Sequence, residues 1–476
     1  MDVSNFRKWA HRAADWSADY LENVGERPVR AQTKPGDIAG KLPVAPPEKG
    51  EDMAQIFEDV DRLLMPGMTH WQHPRFFAYF PANSSPPSVI AEYLTAAMAA
   101  QCMLWQTSPA ATELETHVLG WLRQLLNLPE SFQGVIQDSA SSATLAAVLT
   151  GRERALGFRG NLDGLAAHPP VRVYCSEQAH SSIDKAIWIA GIGEANLVKV
   201  ATGDGDALDA EALEQAIRVD RAAGGCPAVL VATIGSTSIG AMDDLRAIGE
   251  VARRHDLYFH VDAAWAGSAL ICEEHRHLIG GIEAADSFVF NPHKWLFTNF
   301  DCTAHFVKDP NALVKTLGIQ PDYLKTQGEG GIDYSEWSIP LGRRFRALKL
   351  WFVIRSYGVE RLQEIIQNHI RMAETLAQKV DAHPDFELTT NPSLSLFTFR
   401  YAPPGADDLD DLNARLLQAI NDDGRIYLTQ TSHQGAYVIR FQVGQLYTTE
   451  EDVEMAWTVI KQLVGGLSNA NGGHSR

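Results

Sequence analysis

The chain has 476 residues and a net charge of −18, from 41 basic and 59 acidic side chains. A hydrophobic fraction of 45% and a charged fraction of 21% are typical of a globular protein and argue against disorder. The acidic balance disfavours nucleic acid or an anionic membrane as partner, because both bind clustered lysine and arginine. The length predicts two or three domains.

The cysteines indicate a reducing compartment. Five of them stand far apart and form no C-x-x-C pair, which argues against both a disulfide framework and a zinc site. The first residues lack the apolar core of a secretion signal, and no run reaches the ~18 apolar residues of a membrane span. We therefore expect a cytoplasmic protein with reduced thiols and no metal.

Residues 1–85 are predicted to be a helical segment. Aromatic residues and alanine recur at three- and four-residue steps from Phe6 to Tyr20, and a second helix is predicted over residues 53–65. Neither helix can bury its apolar face alone. We therefore expect this segment to pack on another domain or on a second subunit.

Residues 86–350 are predicted to form a large α/β domain. The predicted strands cover residues 171–175, 197–200, 228–233, 257–261, 287–290 and 304–307. The predicted helices cover residues 90–102, 113–126, 210–221 and 243–255. This alternation predicts a mostly parallel sheet covered on both faces, with ligands at the carboxyl ends of its strands.

The last part of the chain, residues 351–476, is predicted to be a smaller α+β domain. A glycine-rich break around residues 334–341 precedes a long helix that starts near Arg346. Short strands are predicted at residues 397–399 and 437–441.

Two residues at predicted strand ends carry the strongest chemical signal. Lys294 follows the apolar run 287–290, and Asp262 follows the apolar run 257–261. A lysine can form a Schiff base with an aldehyde cofactor, and an aspartate can keep a pyridine nitrogen protonated so that the ring accepts electrons. Alone, each has an ordinary interpretation, as a surface lysine or a helix cap. Together they favour a pyridoxal phosphate (PLP) site.

Two further segments give weaker signals. Small hydroxyl residues at 138–144 precede a helix-forming run, and a helix N-terminus can bind phosphate. The same residues also suit a simple serine N-cap. His180 can stack on a pyridine ring and touch a substrate carboxylate, or it can be a partly exposed loop histidine. The sequence leaves both interpretations open.

Seven short motifs carry a family resemblance. They lie at residues 73–81, 108–115, 134–137, 179–182, 260–264, 291–295 and 339–346. Through them the chain, from about residue 6 to 463, resembles the PLP-dependent aromatic-L-amino-acid decarboxylases of the group II family, the dopa decarboxylase group. The resemblance implies a PLP-dependent transferase fold of type I, similar to aspartate aminotransferase.

The resemblance implies catalytic roles for matching residues. Lys294 would bind the cofactor aldehyde and Asp262 would pair with the pyridine nitrogen. His180 would stack on one ring face and Ala264 would press on the other. Tyr323 would reprotonate the substrate carbon from a mobile loop. Aldehyde-forming relatives differ at the positions of Tyr323 or His180, so the residues present here favour amine formation.

The resemblance also implies the binding residues. Ala140, Ser141, Asn291 and His293 would hold the cofactor phosphate. The other cofactor contacts would come from Thr237, Asp262, Ala264 and Lys294. Substrate contacts would come from Trp71, Tyr79, Phe80, Pro81, Ala82, Gln101, Met103, His180 and Gly342. Relatives with glycine at the position of Gly342 tend to take bulkier indole or catechol substrates. Ala82, Gln101 and Met103 replace a threonine, an isoleucine and a phenylalanine of relatives, and methionine makes a softer pocket wall.

The implied activity is decarboxylation of tryptophan, 5-hydroxytryptophan, dopa, tyrosine or phenylalanine to the arylalkylamine and CO2. The enzyme would be a homodimer with active sites at its interface. An acidic substrate is disfavoured, because the pocket candidates offer no cation for a distal carboxylate. Two alternatives stay open: an aromatic aldehyde synthase on the same scaffold, and a PLP-binding protein without catalysis.

Overall fold

The computed structural model describes residues 3–319 and 331–471. The chain divides into two compact units. The larger unit comprises residues 82–368, and the smaller unit combines residues 1–81 with residues 369–476. The predicted three-part division at residues 85 and 350 stays a prediction.

The larger unit contains a sheet of seven strands within its described residues. The strands are β1 (Gln133–Gln137), β2 (Val171–Ser176), β3 (Leu197–Val200), β4 (Cys226–Thr233), β5 (Tyr258–Asp262), β6 (Ser287–Phe290) and β7 (Thr303–Val307). Their order is β1-β7-β6-β5-β4-β2-β3. Strands β6, β5, β4, β2 and β3 run parallel, and β7 is antiparallel to both β1 and β6. The predicted α/β fold with a mostly parallel sheet is confirmed.

Helices surround this sheet. They are α3 (Pro86–Met98), α4 (Pro109–Leu125), α5 (Ala140–Ala155), α6 (Gly160–Asp163), α7 (Ser182–Ile189), α8 (Ala210–Ala222), α9 (Leu245–His255), α10 (Pro292–Trp295), α11 (Pro310–Leu317) and the first part of α12 (Arg346–Asp381). In α5, Ala147 and Val148 are buried against Val173 and Val231 of the sheet. Strands that are buried on both faces have continuous apolar sequences, and for this reason the sequence predicts them.

The smaller unit contains helices α1 (Val3–Asn23), α2 (Met53–Asp59), α13 (Leu409–Asp423) and α14 (Glu450–Asn471), with the last part of α12. Its antiparallel sheet runs β10-β11-β9-β8. These strands are β8 (Phe386–Ser393), β9 (Leu396–Tyr401), β10 (Thr429–His433) and β11 (Ala436–Gln442). Buried side chains of Phe397, Phe441, Leu416 and Trp457 contribute to its core.

Several element bounds differ from the predicted ones by a few residues, and three further differences have a physical reason. Strand β1 has no apolar run that predicts it, since its first two positions are solvent-accessible. The predicted helix 53–65 is an α-helix only to Asp59 and then widens into the π-helical turn Val60–Leu64. Helix α12 is interrupted at Gly358, where φ is +72° and a side chain would be strained.

No helix in residues 3–319 and 331–471 is long and apolar enough to cross a membrane.

Candidate active site

A cavity of about 270 Å³ lies in the larger unit, where β4, β5 and β6 end. Its lining residues are Ser139, Ala140, Ser141, His180, Ser182, Thr233, Gly235, Thr237, Asp262, Ala264, Trp265, Asn291, His293 and Lys294. All the predicted cofactor residues are in this set. The location agrees with the rule that parallel sheets bind ligands at the carboxyl ends of their strands.

Asp262 is the last residue of β5 and is 6% exposed. Its Oδ1 accepts a hydrogen bond of 3.0 Å from the backbone N–H of Ala264. Burial raises the pKa of Asp262, while the charges of Lys294 and His180 oppose that increase. A buried carboxylate of this kind favours a cationic ligand group, because the ligand charge would offset the cost of desolvation.

Lys294 lies in the one-turn helix α10, which follows β6 directly. Its backbone N–H donates to the carbonyl of Asn291 at 2.9 Å, and its own carbonyl accepts from Nδ2 of Asn83 at 2.6 Å. The backbone N–H of Asn291 donates in turn to the carbonyl of Ala264 at 2.8 Å. The segments that carry Asp262 and Lys294 are therefore tied together by their backbones.

His180 lies in the loop between β2 and α7, and its ring is open to the cavity. The backbone N–H of Ser182 donates to its Nδ1 at 3.1 Å, so the neutral ring carries its proton on Nε2. Partial desolvation lowers the pKa of His180, Asp262 opposes this effect and Lys294 adds to it. His180 is thus a loop histidine that also lines the cavity, so its position is compatible with both interpretations.

The hydroxyl segment forms the first turn of α5. Ser139 is the N-cap, and its Oγ accepts a 3.2 Å hydrogen bond from the backbone N–H of Ser142. Ala140 and Ser141, the first two helical residues, line the cavity. The N-cap and the candidate phosphate site are therefore the same structure, because a first turn has N–H groups without intrahelical partners.

The structure adds cavity residues that the sequence reasoning missed. Thr233 ends β4, and Gly235 follows it with φ of +80°. A Cβ on Gly235 would lie 2.7 Å from Nε1 of Trp265, whose N–H donates to the Gly235 carbonyl at 2.7 Å. Only glycine fits this turn without strain. The strand-end position of Thr233 was the signal that could have identified this part of the site.

The predicted substrate residues lie in both units. In the smaller unit, Trp71 and Tyr79 stack with ring centroids 5.9 Å apart, Phe80 and Pro81 are buried, and the Arg440 guanidinium lies over the Phe80 ring. Ala82, Gln101, Met103 and Gly342 lie in the larger unit. None of these eight is among the residues that line the 270 Å³ cavity. Their substrate roles stay predictions, and Tyr323 lies outside the described residues.

In the larger unit, Gln101 and Gly342 are neighbours. The Oε1 atom of Gln101 accepts a 2.6 Å hydrogen bond from the backbone N–H of Arg343, which fixes the amide beside the glycine. A Cβ at Gly342 would lie 3.4 Å from Nε2 of Gln101, an ordinary van der Waals distance. Any side chain at this position would therefore touch the Gln101 amide.

The residues around the cavity fit PLP. Lys294 offers an amine to an aldehyde, the buried Asp262 carboxylate suits a protonated ring nitrogen, and the first turn of α5 suits a phosphate. His180 adds a flat ring on the same cavity. Each of the three chemical groups of the cofactor thus has a matching partner.

Comparisons with known proteins agree with this fit. A family model described as the pyridoxal-dependent decarboxylase conserved domain matches residues 35–402. Tryptophan decarboxylase 2 of Oryza sativa subsp. japonica is 42% identical over 97% of this chain and 95% of its own length. Phenylacetaldehyde synthase of Arabidopsis thaliana is also 42% identical, over 97% of this chain and 96% of its own. The crystal structure of Oryza sativa TDC with PLP and tryptamine has a TM-score of 0.95 and 37% identity, and the match covers 98% of this chain and 99% of that one.

Proposed function

The chain belongs to the pyridoxal-dependent decarboxylase family, and on that premise we propose that it converts aromatic L-amino acids into arylalkylamines and CO2. The observation that carries the proposal is the meeting of Lys294, Asp262 and His180 in one cavity. The aromatic substrate class is supported by the 42% identity to a tryptophan decarboxylase over nearly the full length of both chains.

When bound, PLP supplies an aldehyde that condenses with amines and a ring that accepts the electron pair left behind by CO2. In our proposal Nζ of Lys294 binds the aldehyde. The Asp262 carboxylate would hold a proton on the ring nitrogen, and the positive charge kept there would help the ring to accept electrons. The buried position of Asp262 strengthens the interaction, because the effective dielectric there is low.

His180 is proposed to orient the substrate. Its ring is open to the cavity, and its Nε2–H can donate a hydrogen bond to a carboxylate. A neutral donor orients this group without the strong ground-state stabilisation of an ion pair, which would oppose loss of the carboxylate charge. The lowered pKa of His180 is consistent with a neutral ring near pH 7.

We also propose a homodimer with active sites at its interface. In the larger unit, one face of α3 carries Ile90, Leu94 and Met98 at four-residue steps, and each of these side chains is more than two-fifths exposed. Exposed apolar residues in such a row are typical of an interface with another chain. A cytoplasmic location is proposed as well, supported by five cysteines that form no disulfide.

The proposed activity is tested by product analysis. PLP-loaded protein is incubated with tryptophan, 5-hydroxytryptophan, dopa, tyrosine, phenylalanine, histidine and glutamate, and products are identified by mass spectrometry. Aromatic amines without hydrogen peroxide are expected. Aromatic aldehydes with peroxide would instead support the synthase alternative, which the similarity to phenylacetaldehyde synthase keeps open. A visible cofactor band without CO2 release from any amino acid would indicate a non-catalytic protein.

The Tyr323→Phe variant is expected to shift product from amine toward aldehyde. Phenylalanine lacks the hydroxyl proton that Tyr323 is proposed to give to the substrate carbon, and proton donors of this kind contribute roughly 10²–10⁴-fold. Amine, aldehyde and peroxide are measured together with tryptophan as substrate. Tyr437→Phe is the control for loss of a phenol hydroxyl elsewhere. An unchanged amine yield would remove Tyr323 from the protonation step.

The Gly342→Ser variant is expected to favour phenolic over indolic substrates. The new Cβ would lie 3.4 Å from Nε2 of Gln101. In our proposal the hydroxymethyl group takes space that a bulky indole ring would occupy. A change of this size in a pocket alters specificity by roughly 10–200-fold. The kcat/KM ratio of tyrosine to tryptophan measures it. Gly120→Ser, with open space around it, is the control. An unchanged ratio would mean that this position does not contact substrate.

A further inference from the structure

Asp301 is the buried centre of an ion cluster in the larger unit, in which Arg346 and Lys349 are also buried and Arg344 is half-exposed. Its Oδ2 accepts hydrogen bonds from Nε and Nη2 of Arg346 at 3.0 and 2.8 Å, and its Oδ1 accepts from Nη1 of Arg344 at 2.8 Å. The Nζ atom of Lys349 lies 3.9 Å from Oδ1 of Asp301 and 3.1 Å from Oε2 of Glu92. Asp301 is 8% exposed and Arg346 is 9% exposed. Charge-assisted hydrogen bonds shielded from water in this way hold a residue firmly in place.

The residue after Asp301 connects this cluster to the cavity. The backbone N–H of Cys302 donates to Nδ1 of His293 at 3.0 Å, and the Cys302 carbonyl accepts from the backbone N–H of His293 at 3.2 Å. His293 lines the cavity and is 4% exposed. A single peptide bond therefore separates Asp301 from the residue that hydrogen-bonds to the His293 ring.

The hydrogen bond from Cys302 determines which nitrogen of His293 carries the proton. Since Nδ1 accepts, the neutral ring has its proton on Nε2. Burial lowers the pKa of His293 to about 3, and the charges of Lys294 and Lys349 contribute to this shift. At physiological pH the ring is therefore neutral, and its Nε2–H can donate a hydrogen bond.

We propose that Asp301 is a positioning residue for the cofactor phosphate. It fixes the backbone of Cys302, which orients the His293 ring and keeps the proton on Nε2 for a phosphate oxygen. This inference rests on the proposed cofactor site, and it gives the ion cluster around Asp301 a function in cofactor binding. Arg344 and Arg346 donate hydrogen bonds to Asp301, and Lys349 lies between Glu92 and Asp301. In this proposal these cations act on the phosphate only through the uncharged His293 donor.

The competing explanation is that the cluster only stabilises the fold. The two explanations differ in one measurable respect. A loss of general stability would weaken binding of any cofactor form, whereas a role through His293 would weaken only the binding that depends on phosphate. Pyridoxal lacks the phosphate but keeps the aldehyde and the ring nitrogen, so it is the matched probe.

The experiment compares the dissociation constants of PLP and pyridoxal for the apoprotein, measured from the cofactor absorbance. Wild type, Asp301→Asn, His293→Ala and the double variant are compared. His293→Ala is expected to reduce the preference for PLP over pyridoxal roughly 10- to 100-fold, as for loss of a hydrogen bond to a charged group. Asp301→Asn is expected to reduce it roughly tenfold, and the double variant no further than His293→Ala alone.

The control is Glu153→Gln, which alters another buried carboxylate–arginine pair in the same unit, with Glu153 2.8 Å from Arg152. Neither of these residues lines the cavity, so the preference for PLP should not change. Equal weakening of both cofactor forms in Asp301→Asn, or a further loss in the double variant, would overturn the inference. If Asp301→Asn does not fold, Arg346→Lys replaces it in the comparison with His293→Ala and the double variant. It is also expected to reduce the preference for PLP over pyridoxal. Wild-type protein that fails to bind PLP would overturn the proposed function itself.

Discussion

Replacement of Lys294 by alanine is expected to lower turnover by at least ~10³-fold and to abolish the visible absorbance of bound cofactor. The reason is geometric as well as chemical. Lys294 shares the cavity with the buried Asp262, and its backbone is fixed by Asn83 and Asn291. Another lysine could take the place of Lys294 only if this backbone moved, and such a movement would break those hydrogen bonds.

Steady-state rates, product yields and absorbance spectra test this expectation. Lys308→Ala is a suitable control, because this exposed lysine donates to the Glu283 carbonyl in the same unit and does not line the cavity. A small primary amine added to Lys294→Ala is expected to restore part of the activity, whereas it should not change Lys308→Ala. Retained steady-state turnover in Lys294→Ala without added amine would refute the role of this lysine.

Replacement of Asp262 by asparagine is expected to lower kcat by roughly 10²–10⁴-fold, the size of effect found when a positioned proton-holding group is lost. Asparagine keeps the size of the side chain but cannot stabilise a positive charge on the ring nitrogen. Since the residue is buried, water cannot stabilise the positive charge on the ring nitrogen in place of the lost carboxylate. The ring would then be a poorer electron acceptor, so the chemical step slows more than substrate binding weakens.

The decisive measurement uses a cofactor analogue with a methylated ring nitrogen, which is permanently cationic. Asp262→Asn loaded with this analogue is expected to be more active than the same variant with PLP, whereas wild type is not. Asp309→Asn, at the exposed N-cap of α11, controls for loss of a carboxylate outside the cavity. If the analogue gave no gain and kcat of Asp262→Asn stayed near wild type, Asp262 would not be the partner of the ring nitrogen.

The parallel strands and the two central site residues could be predicted from the sequence because the signals are local. Strand β6 has four buried residues, of which the last three are apolar, and Lys294 lies four positions after the strand ends. Strand β5 ends in Asp262, as its pattern indicated. Burial on both faces leaves a continuous apolar run in the sequence, and the polar residue that ends the run marks the edge of the sheet where ligands bind.

Features that depend on distant partners could not be predicted in the same way. Strand β1 pairs antiparallel with β7, with Gln133 opposite Val307 and Gln137 opposite Thr303, so the paired residues are 166 to 174 positions apart in the sequence. Its accessible first residues hide it from an apolar pattern. Gly235 carries no distinctive local signal, because its constraint is the Trp265 ring, which reaches it from thirty residues away.

The sequence by itself determined the fold class, the family and the positions of Lys294 and Asp262 after buried strands, because each rests on short-range pattern or on motifs. Only the tertiary structure decided that Ser139 is at once an N-cap and part of the cavity, and that His293 carries its proton on Nε2. The tertiary structure alone also showed that Asp301 precedes the residue that hydrogen-bonds to the His293 ring. The physical reason is that a proton position and an ion cluster are set by atoms that meet in space, and the Asp301–Arg346 pair spans 45 positions of sequence.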